Sequence, residues 1–336
     1  MRGRRFAYHF TKTQSVTAST ISPLPEKDNI KDNARERHNS HARGREKLKA
    51  HLAVLLFAVL LATSFSFGGM ATHMIDPIAV QALRYIVTIA ITAFLCFRIK
   101  RYPLKAPRRP VRFVIIGALM ATYMISMFIA LQFTAPVATG AIFTMMPLMS
   151  AGFAWLLMRQ KTRGRVMVSL VIAAIGAIWV IFRGDVQALI HFDIGKGELI
   201  YLVGVTAHAI YVPLLRKFNE NEPALIFLLW SAVGTLAFML VPGLPRLIAL
   251  DYTSISWLGW GLVLYLAVVT TLITFLLLQY ASQRLPAPKV LAYSYLTPSF
   301  IILLEGAMGH GWAPIAVFAG ALITAAGLLA MALLPD

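Results

Sequence analysis

The sequence predicts an all-α integral membrane protein with ten transmembrane helices, arranged as two inverted repeats of five. Of the 336 residues, 58% are apolar and only 13% are charged, and the mean hydropathy is +0.71. A soluble domain is typically about 25% charged, so this chain has too little charge to cover a water-facing surface of its size. The charges are also clumped, which leaves long uncharged stretches at 113–158, 252–283 and 306–335. An internal repeat, described below, is the third observation.

Residues 1–50 are predicted to form a disordered, basic cytoplasmic tail. They hold 12 of the 31 Lys and Arg residues, include Pro23 and Pro25, and show no sustained apolar period. No apolar stretch of the length that a signal peptide requires precedes Leu52, so the first span is expected to remain as a signal anchor.

From Leu52 onwards, ten segments follow that are long and apolar enough to cross a membrane. A helix needs about 20 residues to cross a hydrocarbon layer of roughly 30 Å. The first repeat, residues 51–184, contains the predicted spans 52–70, 77–97, 113–133, 136–158 and 166–182. The second repeat, residues 197–335, contains the predicted spans 199–215, 223–243, 256–278, 287–305 and 312–334.

The positive charges predict the orientation of these spans. If the amino terminus is cytoplasmic, 27 of the 31 Lys and Arg residues fall on the cytoplasmic side. The other side receives only Arg183, Lys196 and Arg246, and Arg84 lies within a span. Because cytoplasmic loops are the basic ones, both termini are predicted to be cytoplasmic. The net charge of +17 does not indicate a nucleic-acid partner, since no basic face can form within apolar spans.

Spans four and five can be laid over spans nine and ten with a shift of 151 residues. Pro147 then meets Pro298, and Gly176 meets Gly327. A repeat with five spans starts on one side of the membrane and ends on the other, so its second copy is inverted. Inverted repeats commonly enclose a substrate site near the membrane midplane and open it alternately to each side.

With these features the chain resembles the EamA-type transporters of the drug/metabolite transporter superfamily, over about residues 52–334. The features are the ten spans, the two halves, Arg84 in span two, the Ala/Pro-to-Pro pattern in spans four and nine, and the ending Leu304-Glu305-Gly306 of span nine. The resemblance implies secondary transport, often export, of amino acids, metabolites or drugs across a bacterial inner membrane. The family often has an acidic residue in both halves, whereas Ala154 stands opposite Glu305 here.

Two charged residues are candidates for substrate binding or gating. Arg84 lies seven residues into span two, about 10 Å along a helix, and a charge at that depth is costly unless it faces a cavity or a partner. It could bind substrate or act in gating, pair with Glu305 or backbone carbonyls, or snorkel to the interface. Glu305, at the end of span nine, could relay protons or be exposed to water at the membrane interface.

Neutral side chains complete the set of candidates. His208 lies in the middle of span six between small residues, and an imidazole can change its charge near neutral pH. Tyr123, Tyr211, Tyr293 and Tyr295 could line a cavity for a partly aromatic ligand. For His208 the alternative is packing within the bundle, and for each tyrosine it is packing or a place in the aromatic belt at the membrane interface.

The sequence predicts no cofactor, no metal site and no enzymatic activity. It contains no phosphate-binding loop, GxGxxG, HExxH or CxxC motif, and its one cysteine, Cys96, excludes an intrachain disulfide. The favoured function is secondary transport of a small metabolite, with lipid around the bundle and a possible homodimer through small-residue stripes. A multipass enzyme acting on lipid or isoprenoid, and a channel or scramblase, are the alternatives.

Overall fold

In a computed structural model of the protein, helices joined by turns and loops are the only regular secondary structure in the part of the chain that the model describes. It describes residues 27–159 except 104, residues 194–285 except 221, residue 290, residues 293–320 except 313, and scattered positions within 160–193 and 322–326. No β-strand occurs in these residues. The predicted all-α class is therefore confirmed.

The structure gives the bounds of ten α-helices in this part of the chain. They are α1 (Lys27–Thr72), α2 (Pro77–Phe94), α3 (Val111–Ala130), α4 (Pro136–Phe143), α5 (Met146–Met158), α6 (Lys196–Phe218), α7 (Ala224–Ala249), α8 (Trp257–Ala267), α9 (Thr274–Ser282) and α10 (Thr297–Ala307). A π-helical turn, Leu95–Ile99, extends α2, and a second, Val268–Ile273, joins α8 to α9. A short 3₁₀ helix, Tyr293–Leu296, precedes α10.

Seven helical segments among the described residues are long and apolar enough to cross a membrane. They correspond to the predicted spans one to four and six to eight. The described part of span nine forms the 3₁₀ helix and α10. The predicted span 166–182 is described only at scattered positions. Of the predicted span 312–334, residues 315–320 are helical, and only scattered positions are described after them. Large apolar side chains cover much of the outer surface, among them Val241 and Ile248, each 77% exposed, as expected where a bundle faces lipid.

Within the predicted tail, α1 begins at Lys27, so residues 27–50 are helical in the structure. This stretch contains no proline, and it is rich in Lys, Arg, Glu and Ala, which have high helix propensity. A polar composition prevents a buried core but does not prevent a helix. Residues 1–26 lie outside the description.

Span four is not one continuous helix, as predicted, but consists of α4 and α5. The break falls at Thr144 and Met145, and Pro147 lies in the first turn of α5. Pro298 lies in the first turn of α10 in the same way. Proline has no N–H, so it is tolerated in the first turn, where that group would lack an intrahelical acceptor. The residues that precede the two helices, Met145 and Leu296, are 151 positions apart, which is the shift found in the sequence.

The central helix α3 packs on α6 and α7, while α2 packs on α7 and α8, α5 on α6, and α10 on α4. Close approach of α3 to α7 depends on glycine: a Cβ on Gly117 would lie 2.6 Å from the carbonyl oxygen of Gly234. At the contact of α3 with α6, a Cβ on Gly204 would lie 2.9 Å from the Cβ of Ser126. Small residues at both crossings let the helix backbones meet, which is typical of membrane bundles.

Contacts between helix termini distinguish two ends of the bundle. At the basic end, defined by the loops 100–110 and 219–223, the start of α3 meets the end of α6 through the bond from Arg112 to the carbonyl oxygen of Phe218. At the opposite end, the start of α2 meets the end of α7 through the ion pair of Asp76 with Arg246, 3.0 Å apart. We call this second end the cavity end, because a cavity of about 450 Å³ lies there.

Candidate functional site

Arg84 lies on α2 in the interior of the bundle, with only 1% of its surface exposed. Its Nε donates to Thr271 Oγ1 at 2.7 Å. Its Nη2 donates to the carbonyl oxygen and to the hydroxyl oxygen of Thr270, each at 3.1 Å. The guanidinium therefore joins α2, in the first half of the chain, to the π-helical turn in the second half.

The π-helical turn presents oxygen acceptors to Arg84. Both threonine hydroxyls donate to the carbonyl oxygen of Leu266, Thr270 at 3.0 Å and Thr271 at 2.9 Å. Because each hydroxyl proton is directed at Leu266, the hydroxyl oxygens are left to accept from the guanidinium. π-helical turns within α-helices are frequent at functional sites. The three bonds satisfy two of the three guanidinium nitrogens.

The third nitrogen, Arg84 Nη1, is buried and has no hydrogen-bond partner among the described residues. Gln81 lies one turn earlier on the same face of α2 and is fully buried. Both atoms of its amide group also lack partners within the described part of the chain. Buried polar groups are normally paired, so this face of α2 has unused capacity to donate and accept hydrogen bonds. A guanidinium can grip a carboxylate or phosphate with two parallel N–H groups.

A buried aromatic cluster surrounds His208 on α6. Its ring stacks on Tyr123, with centroids 4.2 Å apart, and on Tyr211 at 5.4 Å. Phe143 lies at 6.0 Å, and the hydroxyl of Tyr201 donates to that of Tyr123 at 3.4 Å. The Nδ1 atom of His208 is buried without a partner among the described residues. The structure thus brings His208, Tyr123 and Tyr211 together, as a packed stack.

Tyr293 does not join this cluster. Its hydroxyl bonds to Nδ1 of His51 at 2.9 Å, and its ring packs with Ala50, Val54 and Ala281 in a separate apolar cluster. Tyr295 is completely buried in the 3₁₀ helix before α10. Neither tyrosine is among the hydrogen-bond partners of Arg84.

Glu305, at the end of α10, does not pair with Arg84, although the sequence suggested that pair as one alternative. Its Oε2 lies 2.9 Å from Nδ1 of His310, while its Oε1 is buried without a partner among the described residues. Glu305 instead lines a cavity of about 450 Å³ at the cavity end of the bundle, together with Ser66, His73 and Thr134. Arg84 does bond to a backbone carbonyl oxygen, that of Thr270, which the sequence analysis also gave as a partner.

Several residues of the site were missed by sequence reasoning. Gln81 could have been found as a polar residue one turn from Arg84 in an otherwise apolar span. The adjacent pair Thr270 and Thr271 also interrupts an apolar run, but nothing in the sequence indicates that a π-helical turn presents it to Arg84. Among the described residues, no group of His, Cys, Asp and Glu side chains could hold a metal ion.

Comparison with known proteins places these features in a family. The model of the EamA-like transporter family matches residues 48–182 and again residues 195–333, which together make up more than half of the chain. Two curated proteins of Bacillus subtilis (strain 168) are similar: the uncharacterized transporter YyaM, 22% identical over 84% of this chain and 93% of its own length, and the uncharacterized transporter YetK, 18% identical over 78% and 80%. A solved crystal structure has a similar fold, with a TM-score of 0.65 and 17% identity, covering 86% of this chain and 97% of the other.

Proposed function

Because the chain belongs to the EamA-like transporter family, we propose that it is a secondary transporter that exports a small organic metabolite or amino acid. The observation that carries the proposal is Arg84, a buried cation that connects the two halves and keeps one guanidinium nitrogen unpaired among the described residues. A charge inside a membrane costs about 2.5–3.5 kcal/mol on insertion scales, and such residues mark transport pathways. Arg84 binds an anionic group of the substrate through Nη1.

The transporter works by alternating access between two inverted halves of five helices. Two matches of one family model, one in each half, support the repeat. The contacts between helices support this arrangement: span two packs on span seven, and span four on span nine. The contact of span three with span six has its counterpart in the bond of Thr63, in span one, to Tyr265, in span eight, at 2.9 Å.

The protein resides in the bacterial inner membrane with both termini cytoplasmic. The basic end of the bundle carries the loop 100–110, so the positive-inside rule assigns this end to the cytoplasm. The cavity end then faces the periplasm. Both sequence relatives come from a bacterium, which supports the membrane assignment.

Substrate efflux from proteoliposomes tests this function. Vesicles are loaded with a defined mixture of amino acids and small carboxylates, and the external medium is analysed by mass spectrometry. We expect the wild-type protein to release a subset of the mixture, Arg84→Lys to release it more slowly, and Arg84→Ala to release almost none, because lysine keeps the charge but loses the planar fork of donors. Full transport by a folded Arg84→Ala protein would remove Arg84 from the mechanism.

The three alternatives, a channel, a scramblase and a membrane enzyme, have different signatures in the same vesicles. A carrier accelerates efflux when its substrate is present on the opposite side, whereas a channel does not. A scramblase moves fluorescent lipid between leaflets, and a membrane enzyme acting on lipid or isoprenoid changes the mass of its substrate.

The working unit is a monomer surrounded by lipid, with a homodimer as the alternative. Measurement of the mass of the purified protein in detergent distinguishes the two.

A further inference from the structure

The cavity at the periplasmic end, about 450 Å³ in volume, is bounded by both halves of the chain. The first half supplies Ser66 near the end of α1, His73 in the turn directly after it, and residues 131–136, which lead from α3 to the start of α4. The second half supplies Glu305 and His310. Pockets for small organic ligands are typically about 300–1,000 Å³, so the space is large enough for such a ligand.

The polar lining of this cavity contains two acceptors that are not used within the described residues. Ser66 is 98% buried, and its hydroxyl oxygen has no hydrogen-bond partner there. The Oε1 atom of Glu305 is also buried and unpartnered, while Oε2 pairs with His310. A buried carboxylate oxygen without a donor is costly, so a donor from a ligand at this position would relieve the cost.

The charge of the lining favours a cation. No Lys or Arg is among the described residues that line the cavity, and Glu305 is its one carboxylate. The two histidines of the lining, His73 and His310, carry a positive charge only when they are protonated. A second carboxylate, Glu198, is 6% exposed and accepts from the hydroxyl of the lining residue Thr134 at 2.6 Å. The positive charge of Lys196 is directed at the ring of Phe133, with Nζ 4.8 Å from the centroid.

The remainder of the lining is apolar and includes Met70, Leu131 and Pro136. We therefore propose that this cavity binds a small organic ammonium ion with an apolar body, whose N–H groups donate to Glu305 Oε1 and to Ser66 Oγ. The site is separate from Arg84, and binding to it does not depend on the proposed transport activity. An ammonium ion offers several N–H donors, which suits two acceptors that belong to different halves of the chain.

Three probes of nearly equal shape test the proposed charge preference. They are 2-phenylethylammonium, 2-phenylethanol and phenylacetate, which carry positive, zero and negative charge. Binding to the purified full-length protein in detergent is measured by isothermal titration calorimetry. We expect saturable binding of 2-phenylethylammonium, and at least about tenfold weaker binding of the other two, because only the ammonium donates charge-assisted hydrogen bonds to the carboxylate.

Variants then test the two acceptors. Glu305→Gln keeps the shape of the side chain but removes its charge, and we expect the dissociation constant of 2-phenylethylammonium to rise at least about tenfold. Ser66→Ala should raise it about threefold to tenfold. Asp251→Asn is the matched control, since Asp251 lies in the loop after α7 at the same end of the bundle but does not line the cavity. It should leave the dissociation constant unchanged.

Three results would overturn the proposal. One is the lack of saturable binding of 2-phenylethylammonium by the folded wild-type protein. Another is equal binding of 2-phenylethanol, which would indicate apolar partitioning alone. The third is a wild-type dissociation constant in a folded Glu305→Gln protein or, if that variant does not fold, in Ser66→Ala. None of these results bears on efflux through Arg84, so failure of this inference is distinct from failure of the proposed transport function.

Discussion

The bond between Arg84 and Thr271 allows a direct test of one polar contact between the two halves of the bundle. Thr271→Val replaces the hydroxyl with a methyl group of almost the same size. The change removes the acceptor that Arg84 Nε uses at 2.7 Å, and it leaves the guanidinium buried with a second nitrogen unpaired among the described residues. The volume of the core is nearly unchanged, so the effect reports on two lost hydrogen bonds, the one from Arg84 and the one that Thr271 donates to Leu266. The Arg84→Ala background separates the first from the second.

The expected magnitude follows from the charge of the donor. A hydrogen bond to a charged group contributes about 1.5–3 kcal/mol, and an unpaired buried partner costs a similar amount, so Thr271→Val should reduce stability by about 1.5–3 kcal/mol. In an Arg84→Ala background the same change should cost much less, because no guanidinium remains to lose its acceptor. The coupling energy between the two positions should therefore be about 1–2 kcal/mol.

The assay is unfolding of four purified proteins in one detergent, induced by denaturant or by heating. The four are the wild type, Thr271→Val, Arg84→Ala and the double variant. Thr206→Val serves as the matched control, since Thr206 donates only to the carbonyl oxygen of Leu202 within its own helix, at 2.8 Å. It should change stability by less than about 1 kcal/mol. Additive effects of Arg84→Ala and Thr271→Val would refute the reasoning, because they would mean that the contact between α2 and the π-helical turn contributes no stability.

Three further predictions concern other parts of the chain. Gly117→Ala should destabilise the protein by about 1–3 kcal/mol, measured by thermal unfolding, because its Cβ would overlap the backbone of α7, whereas Gly261→Ala has no atom within 4 Å and should not destabilise it. Arg112→Gln should lower the melting temperature, since it leaves the carboxylate of Glu222 at the basic end without its partner, and Glu222→Gln in the same protein should recover part of the loss. Deletion of residues 1–45 should leave membrane yield and orientation unchanged in reporter fusions at both termini, because the basic loops remain; a periplasmic signal at either end would contradict the topology.

The spans were predictable because their signal is strong and local. About 20 apolar residues between clumps of charge define a membrane helix without reference to the rest of the fold. The breaks within spans were harder to predict. Pro147 and Pro298 mark the helix starts after the breaks. A proline in an apolar span is also compatible with a kinked, continuous helix, which is the prediction for span four.

The candidate site was predictable in part. The cost of a buried charge identifies Arg84 from the sequence alone, because that cost depends on depth in the span. Its partners depend on which helices meet, and on the π-helical turn that presents Thr270 and Thr271. The sequence carries no signal for that turn. Glu305 was considered as a partner on charge alone, whereas the structure pairs it with His310, five residues further along the chain.

The contacts of Arg84 bear on how the two halves could move. Its bonds cross from α2 in the first half to the π-helical turn in the second, so rocking of one half against the other must break them or carry the turn along. The hydroxyl groups that accept from Arg84 are held by Leu266 within the second half, and they keep their orientation if the guanidinium leaves. A guanidinium that leaves them needs another acceptor, because an unpaired buried charge is strongly destabilising. An anionic substrate group at Nη1 would provide that acceptor, which would make release of the contact depend on bound substrate, as a carrier requires and an open channel does not.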